Sequence, residues 1–210
     1  MLERQVKRFR EWASLQVQAG EWETYYPHWD DLYAAVLPIA LGVSPAQWDE
    51  ETATDVLYVL ARDNEDQRIV EDVSEDGERM LAIAELALQK GEHEARWQVA
   101  AYLSNVPQQH AEAAEHLLLR FVTDEDEYVR RRAMLALSEM PSSHEHAERL
   151  AFGAWETEEE YQRIAALVVL SRVKSPRLRE YLLRAREDGR RYVVENAERI
   201  EAGRQWWDNP

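Results

Sequence analysis

Six histidines and 41 aspartates and glutamates are the raw material for acid–base or metal chemistry in this 210-residue chain, which has no cysteine. The histidines are His28, His93, His110, His116, His144 and His146. No pair of them is spaced i,i+4, and no His-Glu-x-x-His occurs, so the helical zinc motif is missing. The acids cluster as Asp49-Glu50-Glu51, Asp63-Asn64-Glu65-Asp66, Glu75-Asp76, Asp124-Glu125-Asp126-Glu127 and Glu158-Glu159-Glu160. None has the alternating Asp-x-Asp-x-Asp-Gly register of a calcium loop. With no Gly-x-Ser-x-Gly turn and only 7 glycines, the chain holds neither a nucleophile elbow nor a phosphate-cradling loop. The expectation is no catalytic residue, no metal and no cofactor, and the reading leans away from an enzyme.

A second kind of chemistry is written near the N-terminus. Residues 11–60 contain nine acids and eight aromatics but no lysine or arginine. The densest run holds Trp22, Tyr25, Tyr26, Trp29, Asp30, Asp31 and Tyr33, and Trp48 follows it. Two roles fit: the rings fill the core of a divergent terminal repeat, or they form a recognition surface. In the second role aromatic rings stack on cationic side chains while the acids attract them. On that reading Trp22, Tyr25, Tyr26, Trp29, Asp30, Asp31, Tyr33 and Trp48 are candidate partner-binding residues. A cage for a small quaternary cation is a further form of the same idea.

These residues need elements to hold them, and the composition points to helices. Ala, Leu, Glu, Arg and Gln, the strong helix formers, dominate, and alternating β-branched runs are absent. Helical stripes recur: Ala114, Leu117, Leu118, Phe121 and Val122; then Val129, Ala133, Ala136, Leu137 and Met140; then Ile164, Leu167, Val168 and Ser171. Ser44-Pro45-Ala46-Gln47, Ser142…Glu145 and Thr157…Glu160 have the form of capped helix starts. Pro107, Pro141 and Pro176 each follow a helical run that proline cannot continue. About twelve helices joined by short turns are expected.

The helices repeat. Segments opening at Arg96, Arg130 and Arg163 each carry Leu-Ser seven residues on and an acid four residues before: Glu92, Asp126 and Glu159. Arg191 with Glu187 extends the series, and Arg68 is a weaker copy. An i,i+4 acid–arginine pair and an acid at a helix N-terminus both favour structure, so these residues form a structural ladder. The stretch Asp126-Glu127-Tyr128-Val129-Arg130-Arg131-Arg132-Ala133-Met134-Leu135-Ala136-Leu137 resembles the second helix of a HEAT repeat, with Val-Arg one position beyond its shortest form. The resemblance is clear over 92–175 and faint over 60–91 and 176–202. Tetratricopeptide repeats rank second, because their Trp-x-x-Leu-Gly-x-x-Tyr signature is missing.

The resemblance implies an all-α, right-handed α-α superhelix, a HEAT-like solenoid of about six helical pairs. It makes the chain one domain over 1–210. A divergent aromatic and acidic cap covers 1–60, repeats cover 61–202 and a tail covers 203–210. The second helices of such a fold line a concave surface, to which Trp97, Arg131, Tyr161 and Tyr192 would contribute. Trp206-Trp207 would dock on the last repeat or anchor a partner.

The charge balance selects among functions. With 25 Lys and Arg the formal net charge is −16, which disfavours nucleic acid because the phosphate backbone repels it. An acidic solenoid points to a protein-binding scaffold with a basic partner. An immunity protein against a basic nuclease is one example. The basic run 174–191, with seven bases against three acids, also allows self-association of acidic end with basic end. Among HEAT-like proteins, the DNA glycosylases of alkylation repair and the bilin lyases are the enzyme alternatives. No apolar segment approaches the ~20 residues that span a membrane, and no secretory leader is recognisable, so a cytoplasmic location is expected.

Overall fold

The computed structural model describes residues 1–204, so Trp206 and Trp207 lie outside the described residues. Those residues are all-α. They form helices α1 (Leu2–Ala13), α2 (Trp29–Gly42), α3 (Glu50–Arg62), α4 (Arg68–Ser74), α5 (Gly77–Lys90) and α6 (His93–Tyr102). The series continues with α7 (Ala111–Phe121), α8 (Glu127–Glu139), α9 (His144–Trp155), α10 (Glu160–Arg172), α11 (Leu178–Asp188) and α12 (Arg191–Glu201). No described helix is long and apolar enough to cross a membrane. The helices gather into two compact units, divided between Leu117 and Leu118 within α7.

In the second unit α8, α10 and α12 pack in succession, with α9 and α11 covering them. The stripe Val129, Ala133, Ala136, Leu137 and Met140 is buried throughout, as helical spacing requires for α8. On α10 the burial is wider than its predicted stripe. Ala165, Ala166, Leu167, Val169 and Leu170 are buried, whereas Ile164, Val168 and Ser171 keep some exposure. The reason is position: α10 is flanked by α8, α9, α11 and α12, so more than one face needs apolar cover.

In the first unit α1, α3 and α6 follow one another, and α2, α4 and α5 pack beside them. Its N-terminal core is a cluster of rings around fully buried Phe9. Tyr26 meets Phe9 edge-on at 4.6 Å, and Trp12, Trp29, Tyr58 and Trp22 lie at 5.6, 5.5, 6.0 and 6.2 Å. Edge-on and tilted pairs satisfy the ring quadrupoles better than face-to-face stacks. Gln98 ties α6 to α3 by donating from Nε2 to the Leu60 carbonyl at 2.7 Å.

The side-chain caps at the starts of α3, α5 and α8 are aspartates, and none of the predicted Ser/Thr boxes caps a helix. Asp49 accepts from the Thr52 amide, Asp76 from Arg79, and Asp126 from Tyr128 and Val129. Ser44 precedes only a one-turn 3₁₀ segment, Pro45–Gln47, and makes no side-chain cap. A similar 3₁₀ turn, Pro141–Ser143, takes up Ser142, so α9 starts at His144. Thr157 donates its hydroxyl back to the Ala154 carbonyl instead of capping α10. A carboxylate accepts more strongly from backbone amides than a hydroxyl does, and it also complements the helix dipole.

Candidate cation-binding cleft

The turn between α3 and α4 brings one part of the acidic sequence against the aromatic part. Asp63 closes α3, and its carbonyl accepts from the Gln67 amide at 2.8 Å, with Gln67 itself in the left-handed region at φ 52°. The Asp63 carboxylate turns back under the start of α4 and accepts from the Ile69 amide at 2.8 Å through Oδ2. Its other oxygen accepts from the Tyr33 hydroxyl on α2 at 2.5 Å. Asp66 Oδ2 lies 3.4 Å from the same hydroxyl.

Tyr33 stacks on Trp29, one helical turn earlier, with centroids 5.2 Å apart and planes 28° apart. Trp29 donates its indole N–H to the Glu23 carbonyl at 2.8 Å. That bond fixes the one-turn 3₁₀ segment Trp22–Tyr25 beside the ring wall. Glu23, Trp29, Tyr33, Arg62, Asp63 and Asp66 thus share one cleft of about 210 Å³.

Its electrostatics are unusual for so acidic a place. Asp63 is 2% exposed, and burial pushes its carboxyl up to about 6. The Ile69 amide and Tyr33 hydroxyl oppose that rise, Asp66 adds to it and Arg68 counters it. Tyr33 is raised well above the ordinary phenol range, first by burial and then by the Asp63 hydrogen bond and charge. Glu23 is 4% exposed and its carboxyl is also pushed up by burial; its own backbone hydrogen bond and Arg62 oppose this, while Glu94 and Glu65 reinforce it. Arg62 is the nearest cation, but it bonds Glu92, lies 3.7 Å from Glu94 and sits 5.0 Å from the Tyr58 ring. Arg68 lies 4.9 Å over the Tyr33 ring. Among the described residues no group of three or more His, Asp or Glu side chains is placed to hold a metal ion. The cleft thus brings carboxylates and aromatic rings together.

The other candidate residues lie in several settings. Trp22, Tyr26 and Tyr33 are buried in the first unit, Trp29 and Trp48 are half-buried, and Tyr25 is 78% exposed. Asp30 and Asp31 are exposed, and Asp31 pairs with Arg8 at 3.1 Å. Trp97 is buried on α6. In the second unit the Arg131 guanidinium lies between the Tyr128 and Tyr161 rings at 4.6 and 4.9 Å and pairs with Glu127. Tyr161 and Tyr192 are about half exposed. The structure therefore does not gather the candidates into one patch. It joins Trp29 and Tyr33 to Glu23, Arg62, Asp63 and Asp66.

The sequence does not single out Glu23, Arg62, Asp63 and Asp66 as site residues, because Asp63 and Asp66 meet Tyr33 across 30 and 33 residues of chain and Glu23 sits in an acidic run without a distinguishing neighbour. The ladder runs between repeats. Arg130 reaches Glu159 at 3.1 Å and the carbonyls of Asp124 and Glu125. Arg163 reaches Asp188 at 2.5 Å, and Arg62 reaches Glu92. Arg96 donates to the Gly91 carbonyl, and Arg191 pairs with Glu195 rather than with Glu187. An arginine side chain is long enough to bridge neighbouring helices, which an i,i+4 reading leaves out. The detectable signal is the spacing: Glu92 lies 30 residues beyond Arg62 and Glu159 lies 29 beyond Arg130.

Residues 114–200 match the family profile of HEAT repeats. No curated protein matches the sequence. Among solved structures, a designed armadillo repeat protein in complex with the peptide (KR)4 aligns with a TM-score of 0.47 and 14% identity, covering 88% of this chain and 98% of that one. Residues 114–200, with their stacked helices, are thus similar to HEAT repeats.

Proposed function

We propose that this chain is a non-enzymatic protein-binding repeat module whose acidic, aromatic N-terminal region recruits a basic protein partner. The observation that carries the reading is the run 11–60, with nine acids and no base, ending at a cleft whose carboxylates are not neutralised by an ion pair of their own. Opposite charge steers encounter and sets specificity, and aromatic anchors supply contact area. An immunity or regulatory protein acting in the cytoplasm on a basic target is the concrete form we assign to it.

The test is retention of proteins from the host extract on the immobilised chain at low and high salt, with and without Glu11→Gln, Glu21→Gln, Asp30→Asn and Glu51→Gln together. These four acids are exposed. Asp49 and Glu50 are kept, because Asp49 caps α3 and Glu50 pairs with Lys90. A basic protein held at low salt, shed at high salt and held more weakly by the variant is the expected result, since exposed charge pairs are screened. Retention that ignores both salt and the variant overturns the reading.

A further inference from the structure

We infer that the cleft between Glu23, Trp29, Tyr33, Asp63 and Asp66 is a receptacle for one guanidinium group, an arginine side chain of the basic partner. The inference rests on the protein-binding reading above and assigns it a point of contact.

The first argument is an unmet acceptor. Glu23 is 4% exposed, and its Oε2, inside the cleft, has no hydrogen-bond partner. Buried polar atoms without partners are few in native proteins, and each calls for a donor. Asn64 Oδ1, also lining the cleft, is buried and unpartnered as well. Glu23 and Asn64 therefore line the same small space, each with an oxygen that receives no hydrogen bond, and the Arg62 Nε in the same lining is unpartnered too.

The second argument concerns the cations already present. Arg62 is held by Glu92 and Glu94, and Arg68 lies over the Tyr33 ring at the edge of the cleft. Neither forms a hydrogen bond or an ion pair with Glu23. The cleft holds Glu23, Asp63, Glu65 and Asp66 against Arg62 alone, whose charge Glu92 and Glu94 answer from outside it. A cation entering it replaces unfavourable burial of carboxylates by charge-assisted hydrogen bonds.

The third argument is shape. Trp29 and Tyr33 stack on each other and Arg68 lies over the Tyr33 ring, so the rings bound the cleft without offering a free face, and an entering guanidinium would use its planar N–H fork on the carboxylates. The volume of about 210 Å³ is below the roughly 300–1,000 Å³ of small-molecule sites, so it suits one side chain rather than a whole cofactor.

The experiment uses the full chain, labelled with nitrogen-15, and ethylguanidinium chloride as probe, with ethylammonium chloride and sodium chloride at matched ionic strength beside it. Saturable shifts at the Trp29 indole N–H and at the amides of residues 63–69 are expected with ethylguanidinium. Glu23→Gln should weaken its apparent affinity at least fivefold, and Asp66→Asn, an exposed change that leaves the fold intact, should weaken it by a smaller factor. Glu145→Gln, an exposed change on α9 in the second unit, should leave it unchanged. Shifts no larger than those from sodium chloride, shifts spread evenly over exposed acids, or stronger binding of ethylammonium would each overturn the inference. The first of these would mean that water fills the cleft. Failure here with intact salt-dependent partner retention removes only the arginine contact. Ethylguanidinium binding with no partner retained at either salt removes the protein-binding function and leaves the cleft as a cation site.

Discussion

Asp63 and Asp188 are two aspartates at helix C-termini, Asp63 just after α3 and Asp188 the last residue of α11; Asp63 is buried as a whole, whereas Asp188 is half-buried with its carboxylate covered by its partners. Their proton affinities are opposite. Asp188 in the second unit receives Arg163 at 2.5 Å and a two-pronged contact from Arg190 at 2.5 and 2.7 Å. The Arg190 hydrogen bonds come first in pulling its carboxyl well below the ordinary range, with burial opposing and Arg163 assisting. Asp63 in the first unit receives only neutral donors, the Tyr33 hydroxyl and the Ile69 amide. Burial then outweighs them and the carboxyl rises to about 6. Burial by itself does not tell a structural carboxylate from a poised one; the charge of the donor does. One unit uses its acid as a tie between repeats, and the other holds its acid among unmet acceptors at a cleft.

The strongest way to break this comparison is to neutralise each acid. Asp188→Asn strands Arg163 and Arg190, which keep access to water, so it should cost about 1–2 kcal/mol in urea unfolding at pH 7. Asp63→Asn strands no charge, so it should fall within about 1 kcal/mol of the parent or stabilise it. Equal losses would mean that the two sites are energetically alike.

The pH dependence sharpens the contrast. The folded chain holds the Asp63 proton up to about 6, whereas an unfolded aspartate releases it near 3.8. The contribution is thus complete below about pH 4 and lost as pH rises toward and through 6. The parent should lose about 2–3 kcal/mol relative to Asp63→Asn between pH 4 and pH 8. Asp188 works in the reverse direction: its contribution is present above the ordinary aspartate range and is lost as pH falls below it. Unfolding of both variants at pH 4, 5, 6 and 8 checks the two slopes. A flat parent-minus-Asp63→Asn difference would refute the poised carboxylate.

Tyr33→Phe has a smaller expected effect. Removing one donor to a buried carboxylate should cost about 1 kcal/mol. It should also move the Asp63 midpoint further up, because the lost hydrogen bond lowers it. Carboxyl carbon shifts against pH read both. Smallest is Asp66→Asn, which should lower the Asp63 midpoint slightly, since Asp66 raises it, and leave stability near the parent. An unmoved midpoint would place Asp66 outside the cleft's field.

Part of this architecture is legible in residue order. The α8 stripe is buried as its spacing demands, and prolines 107, 141 and 176 fall after helical segments. The arginines and acids of the ladder are visible too, but their partners are not. Glu92 reads as the companion of Arg96 and is bonded by Arg62; Glu187 reads as the companion of Arg191, and Asp188 takes the interrepeat contact instead. Spacing of three and four residues describes one helix surface, whereas these arginines cross to the next repeat. The eight aromatics of 11–60 fit either a core or a surface when read in order. Ring packing around Phe9 put Trp22 and Tyr26 inside and left Tyr25 in solvent.

Helix class, repeat spacing and the acidic bias of the first 60 residues follow from the sequence by itself, because helix propensity, periodicity and net charge are local or additive properties. The joining of Tyr33 to Asp63, the unmet Glu23 oxygen and the opposed proton affinities of Asp63 and Asp188 were decided only by tertiary structure. The Tyr33–Asp63 bond joins residues 30 apart, the Glu23 oxygen is set by what packs around it, and Asp188 combines its neighbour Arg190 with Arg163 from 25 residues away, so desolvation and long-range packing, which residue order does not state, decide all three.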